Sequence, residues 1–185
     1  PHECSSAASD VYKRQLHEIN PSANSAYYLG LLKDKVGDSK SALLYYEESL
    51  TFEVDNYKKA SILYKIAVKF KTRGLKTKSR QYARKALKFQ PSMGKAYLLI
   101  ANLYASSAND CGETQFEKRS IYWLAAQQAR KAANVDPSTK KTALSMAKSY
   151  EGRAPTRTDI FTEGKEGQII IFSCWIKDKS TVPNL

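Results

Sequence analysis

The chain has 185 residues, 42% of them hydrophobic and 26% charged, and its 30 Lys and Arg against 18 Asp and Glu give a net charge of +12. This composition is typical of a globular protein and excludes collagenous and fully disordered classes. No apolar run approaches the roughly 20 residues that a membrane helix needs, so the sequence predicts no membrane span.

The N-terminal segment has no initiator Met and no hydrophobic stretch of the kind found in signal peptides. Its residues Asp10 to Gln15 are also similar to adapter read-through at the ends of assembled environmental sequences. We therefore expect residues 1–15 to be a non-native or disordered leader, and the fold prediction excludes them.

Apolar residues at i, i+3 and i+4 spacing predict seven helices after the leader. They cover residues 22–36, 39–53, 57–73, 76–89, 93–106, 120–134 and 138–151. Gly37 and Gly74 fall at predicted helix ends, where a left-handed backbone conformation is common. The polar stretch Ser107 to Arg119, which carries Asn-Asp and Cys-Gly turn signals, predicts a loop between the fifth and sixth helices.

A dipeptide with a small second residue recurs along these helices. The small residue is Gly30, Ala67, Ala101 and Ala147, so the spacings are 37, 34 and 46 residues. A period near 34 is typical of stacked pairs of antiparallel helices, each pair too thin to bury its own apolar face. Small residues in the second helices keep the same register, namely Ala42, Ser79 and Ala125, then Ser49, Ala86 and Ala132.

These positions together resemble the tetratricopeptide repeat. The residues that carry the resemblance are Leu29, Gly30, Gly37, Asp38, Ala42, Tyr46 and Leu50, then Leu63, Ile66, Ala67, Phe70, Gly74, Ala83, Ala86 and Pro91, then Tyr97, Ile100, Ala101, Tyr104, Ala125, Ala129, Ala132 and Pro137. The resemblance implies an all-α fold, a tetratricopeptide-type α-solenoid of about three and a half antiparallel helix pairs. The array would cover residues 20–153, with units at 23–56, 60–93, 94–137 and 140–153.

Residues 154–185 have a different pattern. Thr156 to Glu163 predicts a short helix, with Thr156 and Asp159 at capping-box spacing. The β-branched stretch Gln168 to Ile176, a turn at 177–180 and a strand from Thr181 predict a small β-hairpin. Because a lone hairpin is marginal, we expect Phe172 or Trp175 to pack on the last repeat helix, which would make the segment a cap for the array. A partner-binding edge is the alternative.

Residues 94–185 also resemble the C-terminal end of a group of bacterial tetratricopeptide-repeat proteins of unknown specific function, whose members carry exported N-termini. That resemblance favours the cell envelope or export, with the cytoplasm as the alternative. In an oxidising compartment Cys111 and Cys174 would form one disulfide between the long loop and the hairpin. Otherwise both are small buried hydrophobic residues.

The sequence contains no nucleotide-binding, nucleophile-elbow or zinc-protease motif. Its two histidines, His2 and His17, have no partners at the spacing of metal ligands or catalytic pairs. The sequence therefore predicts a non-enzyme with no metal and no cofactor.

By resemblance, the first helix of each pair lines a concave groove that binds peptides. The groove residues would be Tyr27, Leu31, Lys35, Tyr64, Val68, Lys71, Leu98, Asn102 and Lys148. Apolar and aromatic side chains flanked by lysines suit a peptide with apolar anchors and acidic flanks. We thus expect a protein–protein interaction scaffold for a peptide or partner protein of acidic character; no oligomeric state follows from the sequence.

Charge distribution supplies an alternative function. Residues 56–109 contain thirteen Lys and Arg and no Asp or Glu, which creates a positive field able to attract an acidic peptide, a nucleic acid or an anionic membrane surface. Aromatic residues interleave with these cations at Tyr57, Tyr64, Phe70, Tyr82 and Phe89, the pattern of single-strand nucleic-acid binding. A merely solvated lysine face is the competing interpretation.

Overall fold

A computed structural model describes the backbone of residues 2–185 and the side chains from residue 11 onward. Within these residues the elements are α1 (His2–Ile19), α2 (Ala23–Lys35), α3 (Ser39–Phe52), α4 (Asn56–Thr72), α5 (Lys76–Phe89), α6 (Gly94–Ala105), α7 (Gln115–Val135), α8 (Lys140–Glu151), α9 (Arg157–Glu163), β1 (Ile169–Phe172) and β2 (Asp178–Thr181). The fold prediction is confirmed: the chain is all-α with a small C-terminal hairpin, consistent with an α-solenoid.

The chain divides into two compact units. The first contains the described residues up to Ile66, the second is Ala67–Leu185, and the boundary lies inside α4. In the first unit α2 packs against α3, and α1 packs against α2. In the second unit α7 packs against both α6 and α8, α5 packs against α6, and β2 packs against α7. The helices that pack on each other within a unit thus follow one another in the chain, as a paired arrangement requires.

In the first unit, α2 and α3 approach closely at a glycine. A Cβ atom built on Gly30 would lie 2.5 Å from Cδ1 and Cε1 of Tyr46. Tyr46 is buried, with 3% of its surface exposed, and its hydroxyl donates to Asp34 Oδ2 at 3.0 Å. Only a residue without a side chain fits beneath this held ring, which is the physical reason for glycine at this repeat position.

In the second unit, alanines take the same role. Ala101, Ala125, Ala129 and Ala132 are fully buried, and Ala147 is nearly so. Ala132, Ala133 and Ala143 form one apolar cluster on which Tyr97 and Leu98 pack. Small side chains at the predicted register are thus buried, and Ala132 of α7 packs with Ala143 of α8.

Helix α1 covers most of the predicted leader. Residue 1 lies outside the described residues, as do the side chains of residues 2–10, and the assignment of residues 1–15 as a leader stays a prediction. Beyond that range, His17 is buried; its Nδ1 lies 2.8 Å from Ser25 Oγ and its Nε2 lies 3.4 Å from Glu48 Oε1. The end of α1 therefore belongs to the packed first unit.

The loop predicted at 107–119 is shorter in the structure, because α7 begins at Gln115. Thr114 Oγ1 accepts from the Glu117 backbone N–H at 3.2 Å, and Glu117 Oε2 accepts from the Thr114 backbone N–H at 3.4 Å. This capping box satisfies helix N–H groups that otherwise have no intrahelical partner. The Thr-x-x-Glu spacing was visible in the sequence, and the predicted start of this helix at residue 120 is wrong.

The hairpin also differs in its boundaries. β1 and β2 pair antiparallel, with Ile169 opposite Thr181 and Phe172 opposite Asp178. The predicted turn at 177–180 is wrong, because the chain turns before residue 178. Lys177 has a positive φ of 44° there, a conformation that lets the chain reverse immediately before β2.

Trp175 holds the hairpin against the second unit. Its Nε1–H donates to Ser107 Oγ at 3.1 Å, and the Arg80 guanidinium lies 5.0 Å from its ring centroid. Arg80 also donates to the Trp175 and Ile176 carbonyl oxygens. These contacts lie on α5 and on the loop after α6, not on α8 as expected for a cap at the last repeat helix; the capping role stays a prediction.

A disulfide joins the same two regions. Cys111 and Cys174 are bonded with their Cα atoms 5.5 Å apart, and 63 residues separate them in sequence. Cys111 is buried, with 1% of its surface exposed. The bond therefore ties the loop before α7 to the turn of the hairpin.

We predict that Gly30→Ala lowers the free energy of unfolding by about 1–3 kcal/mol, because the new methyl group overpacks the Tyr46 ring. Urea unfolding followed by circular dichroism measures the loss. Gly152→Ala is the matched control, since its Cβ would lie 3.6 Å from the nearest atom, the Lys148 carbonyl oxygen. Equal stability of the two variants would contradict the close approach of α2 and α3.

We also predict that protein purified without reductant contains the Cys111–Cys174 bond. Alkylation of the denatured chain followed by mass spectrometry should then modify Cys4 alone among the three cysteines. Replacing both bonded cysteines by alanine should lower the free energy of unfolding by about 2–4 kcal/mol, since a long loop is released in the unfolded chain. Three alkylated thiols would show that the bond does not form.

Candidate functional site

The predicted binding residues lie on the first helix of each pair. Tyr27, Leu31 and Lys35 belong to α2, Tyr64, Val68 and Lys71 to α4, Leu98 and Asn102 to α6, and Lys148 to α8. Each is half-buried or exposed, whereas the small residue of each repeat, Gly30, Ala67, Ala101 or Ala147, is buried. Every first helix therefore has one face inside the protein and a second, partly exposed face. We call the nine partly exposed residues the first-helix faces.

In the first unit, Tyr27 is packed among other rings. Its ring centroid lies 5.5 Å from that of Tyr46 and 6.3 Å from that of Tyr28. The Lys65 ammonium lies 4.9 Å from the Tyr27 ring centroid, a cation–π contact. Burial, with a smaller contribution from the charge of Asp34, raises the pKa of the Tyr27 hydroxyl. Tyr27 is therefore a neutral, partly covered aromatic residue beside a cation.

Tyr64 is similar in character. It is half-buried, and burial raises the pKa of its hydroxyl. The next residue, Lys65, is the lysine that contacts the Tyr27 ring. Both tyrosines thus stay uncharged near neutral pH and can offer a hydrogen-bond donor with an apolar ring.

Leu31 is half-buried, and Lys35 is exposed. Lys35 also lines a hollow of about 290 Å³ together with Leu29, Leu32, Lys33, Val36, Tyr45 and Arg14. Three cations, Arg14, Lys33 and Lys35, therefore line a hollow whose other side chains are apolar or aromatic. The structure therefore places Lys35 beside a second surface that the sequence analysis did not predict.

In the second unit, the predicted residues differ in how far they are exposed. Leu98 packs on the alanine cluster of α7 and α8 and contributes to the core. Val68 and Asn102 are half-buried, while Lys71 and Lys148 are exposed. The surface available to a ligand here is consequently more polar than the sequence pattern implied.

Several cations of the basic segment are engaged in contacts within the second unit. The Lys76 ammonium lies 2.8 Å from Asp110 Oδ2, and Arg84 Nη2 lies 3.8 Å from Asp178 Oδ2. The Lys78 and Lys85 ammonium groups lie 5.6 Å and 4.7 Å from the ring centroids of Phe70 and Tyr82. Phe70 and Tyr82 are buried, with 7% and 5% of their surface exposed. These two rings cannot stack on bases, whereas Tyr57 and Phe89 remain 68% and 41% exposed.

The sequence analysis missed a cluster around Arg80. Arg80 Nη1 donates to the Tyr104 hydroxyl at 3.3 Å, and its guanidinium lies 5.9 Å from the Tyr104 ring centroid. Arg84 Nη2 donates to the same hydroxyl at 3.3 Å. Nothing in the repeat period links α5 to the hairpin 95 residues later, so periodicity could not find this cluster.

A groove between α7 and β2 is a second feature that the sequence did not indicate. It has a volume of about 570 Å³ and is lined by Trp123, Gln127, Arg130, Glu151, Lys179 and Thr181. Arg130 and Glu151 form an ion pair within it. Its lining therefore combines an aromatic side chain with charged groups of both signs.

No group of three His, Cys, Asp or Glu side chains able to hold a metal ion occurs in the part of the chain that the structure describes. Among the described helices, none combines the length and apolar character that crossing a bilayer requires.

No protein-family model matches the chain. The chain is 31% identical over 107 residues to the photosystem I assembly protein Ycf3 of Cyanophora paradoxa. The alignment covers 53% of this chain and 62% of Ycf3, so the chain spans less than two thirds of the length of that relative. The chain thus has a helical, repeat-like fold and sequence similarity to a protein named for its role in assembly.

Proposed function

We propose that this chain is a non-enzymatic interaction module of the tetratricopeptide type, which binds a peptide or partner protein on its first-helix faces. The observation that carries the proposal is the division of each first helix into two faces. The small residues at the repeat positions are fully inside the protein, while residues such as Tyr27, Tyr64 and Val68 keep part of an apolar surface exposed. An apolar surface that the fold leaves half covered has area to gain from a ligand.

The charges beside these residues support a partner of acidic character. Lys35, Lys71 and Lys148 are exposed on the same set of first helices, and Lys65 lies over the ring of Tyr27. An acidic side chain of a ligand would meet a cation next to each apolar contact, which favours correct partners and speeds their association. A partner rich in lysine would be repelled by the same residues.

Similarity to Ycf3, an assembly protein, supports the same proposal. We therefore propose a role in holding or assembling other proteins, with the partner defined by its apolar and acidic character.

We predict that Tyr64→Ala combined with Val68→Asp abolishes capture of the native partner. The double change removes an aromatic anchor and places a carboxylate where an apolar residue of the ligand would lie. Affinity purification of tagged protein from its native cells, followed by quantitative mass spectrometry, should show at least about a tenfold loss of the partners bound by the original chain.

The matched control for this experiment is Leu44→Asp. Leu44 is 61% exposed on α3, a second helix, so the change adds the same charge to an apolar surface residue outside the first-helix faces. Circular dichroism must show that both variants are folded. Retention of the same partners by the folded double variant would contradict the proposed binding surface.

Nucleic-acid binding by residues 56–109 is the competing prediction, and the burial of Phe70 and Tyr82 weakens it. We expect no mobility shift of a labelled single-stranded oligonucleotide at about 0.1 M salt, since Phe70 and Tyr82 are buried and cannot stack on bases. A shift whose affinity falls steeply with salt concentration, by about 0.7 in log K per log unit for each neutralised phosphate, would support nucleic-acid binding instead.

A further inference from the structure

The C-terminal hairpin has a strand edge that no described residue covers. Val182 N–H donates to the Gln168 carbonyl, so residues 168, 170 and 172 of the β1 side form the hydrogen-bonded pairs with β2. The N–H and C=O groups of Ile169 and Ile171 must then point away from β2, because the direction alternates along a strand. Among the described residues, no backbone or side-chain group pairs with these outward groups.

The side chains next to this edge are apolar and exposed. Ile169 and Ile171 expose 55% and 76% of their surface. Ile170 and Phe172, on the opposite face, are buried, with only 8% and 2% of their surface exposed. Natural proteins usually protect such an edge with a charge, a proline or a covering segment. β1 has none of these within its four residues, so its edge is suited to accept another strand.

The charge on the same face is positive. Lys179 lies directly opposite Ile171 on β2, and both it and Lys177 are exposed. Asp178 points to the other face, where its carboxylate lies near Arg84 and the Tyr104 hydroxyl. Glu163 is paired with Lys165, and Glu166 accepts from the Leu185 N–H. Glu151 lines a groove together with Lys179, and this carboxylate is paired with Arg130. The exposed face of the hairpin is therefore positive at the Ile171 end.

We infer that the outer edge of β1 is a strand-addition site for an extended segment of a partner protein, with an apolar residue beside Ile169 and an acidic residue toward Lys179 and Lys177. The backbone groups of Ile169 and Ile171 supply the hydrogen bonds, as in other cases of β-augmentation. The isoleucines supply apolar contact, and the lysines select an acidic strand. This site lies in the hairpin and is separate from the first-helix faces.

The probe is an acetylated and amidated eight-residue peptide in which threonine alternates with valine or glutamate, so that valine and glutamate lie on one face of the added strand. Amide hydrogen exchange, followed by NMR on the full chain, should show protection of the Ile169 and Ile171 amides when the peptide is added. A peptide with lysine in place of glutamate should bind about tenfold more weakly. A peptide N-methylated at alternate residues along its pairing edge should not bind.

Two variants of the protein sharpen the test. Ile171→Pro removes an outward N–H while keeping the pairing with β2, since proline is tolerated where the N–H faces solvent, and it should weaken the acidic peptide by at least about tenfold. Lys179→Glu should lower the affinity for the acidic peptide by about threefold to tenfold and raise the affinity for the lysine peptide. Lys140→Glu, at the exposed start of α8, is the control for net charge and should change neither affinity.

Absence of protection at Ile169 and Ile171 with the acidic peptide present at millimolar concentration would overturn the inference, as would equal binding of the acidic and lysine peptides. Protection that arises without peptide and grows with protein concentration would assign the edge to a second copy of this chain and would also overturn it. None of these three results bears on the first-helix faces. That surface is tested separately by the Tyr64 and Val68 changes, which leave β1 unaltered.

Discussion

Close approach of neighbouring helices at residues with little or no side chain is the constraint on which this fold depends. Gly30 leaves room for the Tyr46 ring, and fully buried alanines serve the same purpose between α6, α7 and α8. Thin helix pairs gain stability from the apolar surface that they bury against their neighbours. Once the small residues fix which face is buried, the opposite face of each first helix has to lie toward solvent or a ligand.

The binding surface that we propose is a consequence of that division. Tyr27 and Tyr64 are half-buried, and burial is the main cause of their raised hydroxyl pKa values. They are therefore uncharged rings with part of their surface exposed for contact with a ligand. Leu98 shows the opposite outcome, since it packs on alanines of α7 and α8. Position in the repeat thus sets which residues can face a ligand, and local packing decides how much of each remains available.

Long-range contacts determine the C-terminal end of the protein. Arg80 packs against Trp175 and donates to two carbonyl oxygens of the hairpin turn, and the Cys111–Cys174 bond joins the same turn to the loop before α7. With the turn held in this way, β2 packs on α7 and β1 is left as the outer strand. The exposed isoleucines of β1 are therefore a result of how the hairpin is anchored, and their pattern beside Lys179 is what makes an acidic strand the fitting partner.

The sequence by itself determined the helical class, the repeat register and the small residues between helices, because periodicity and glycine or alanine at fixed intervals are local signals. It also contained the capping box at Thr114 and Glu117, although the loop interpretation overlooked it. Only the tertiary structure decided that Phe70 and Tyr82 are core residues and that Arg80 holds Trp175. Burial of a given ring and contacts across 95 residues depend on how elements pack, which no spacing along the chain encodes.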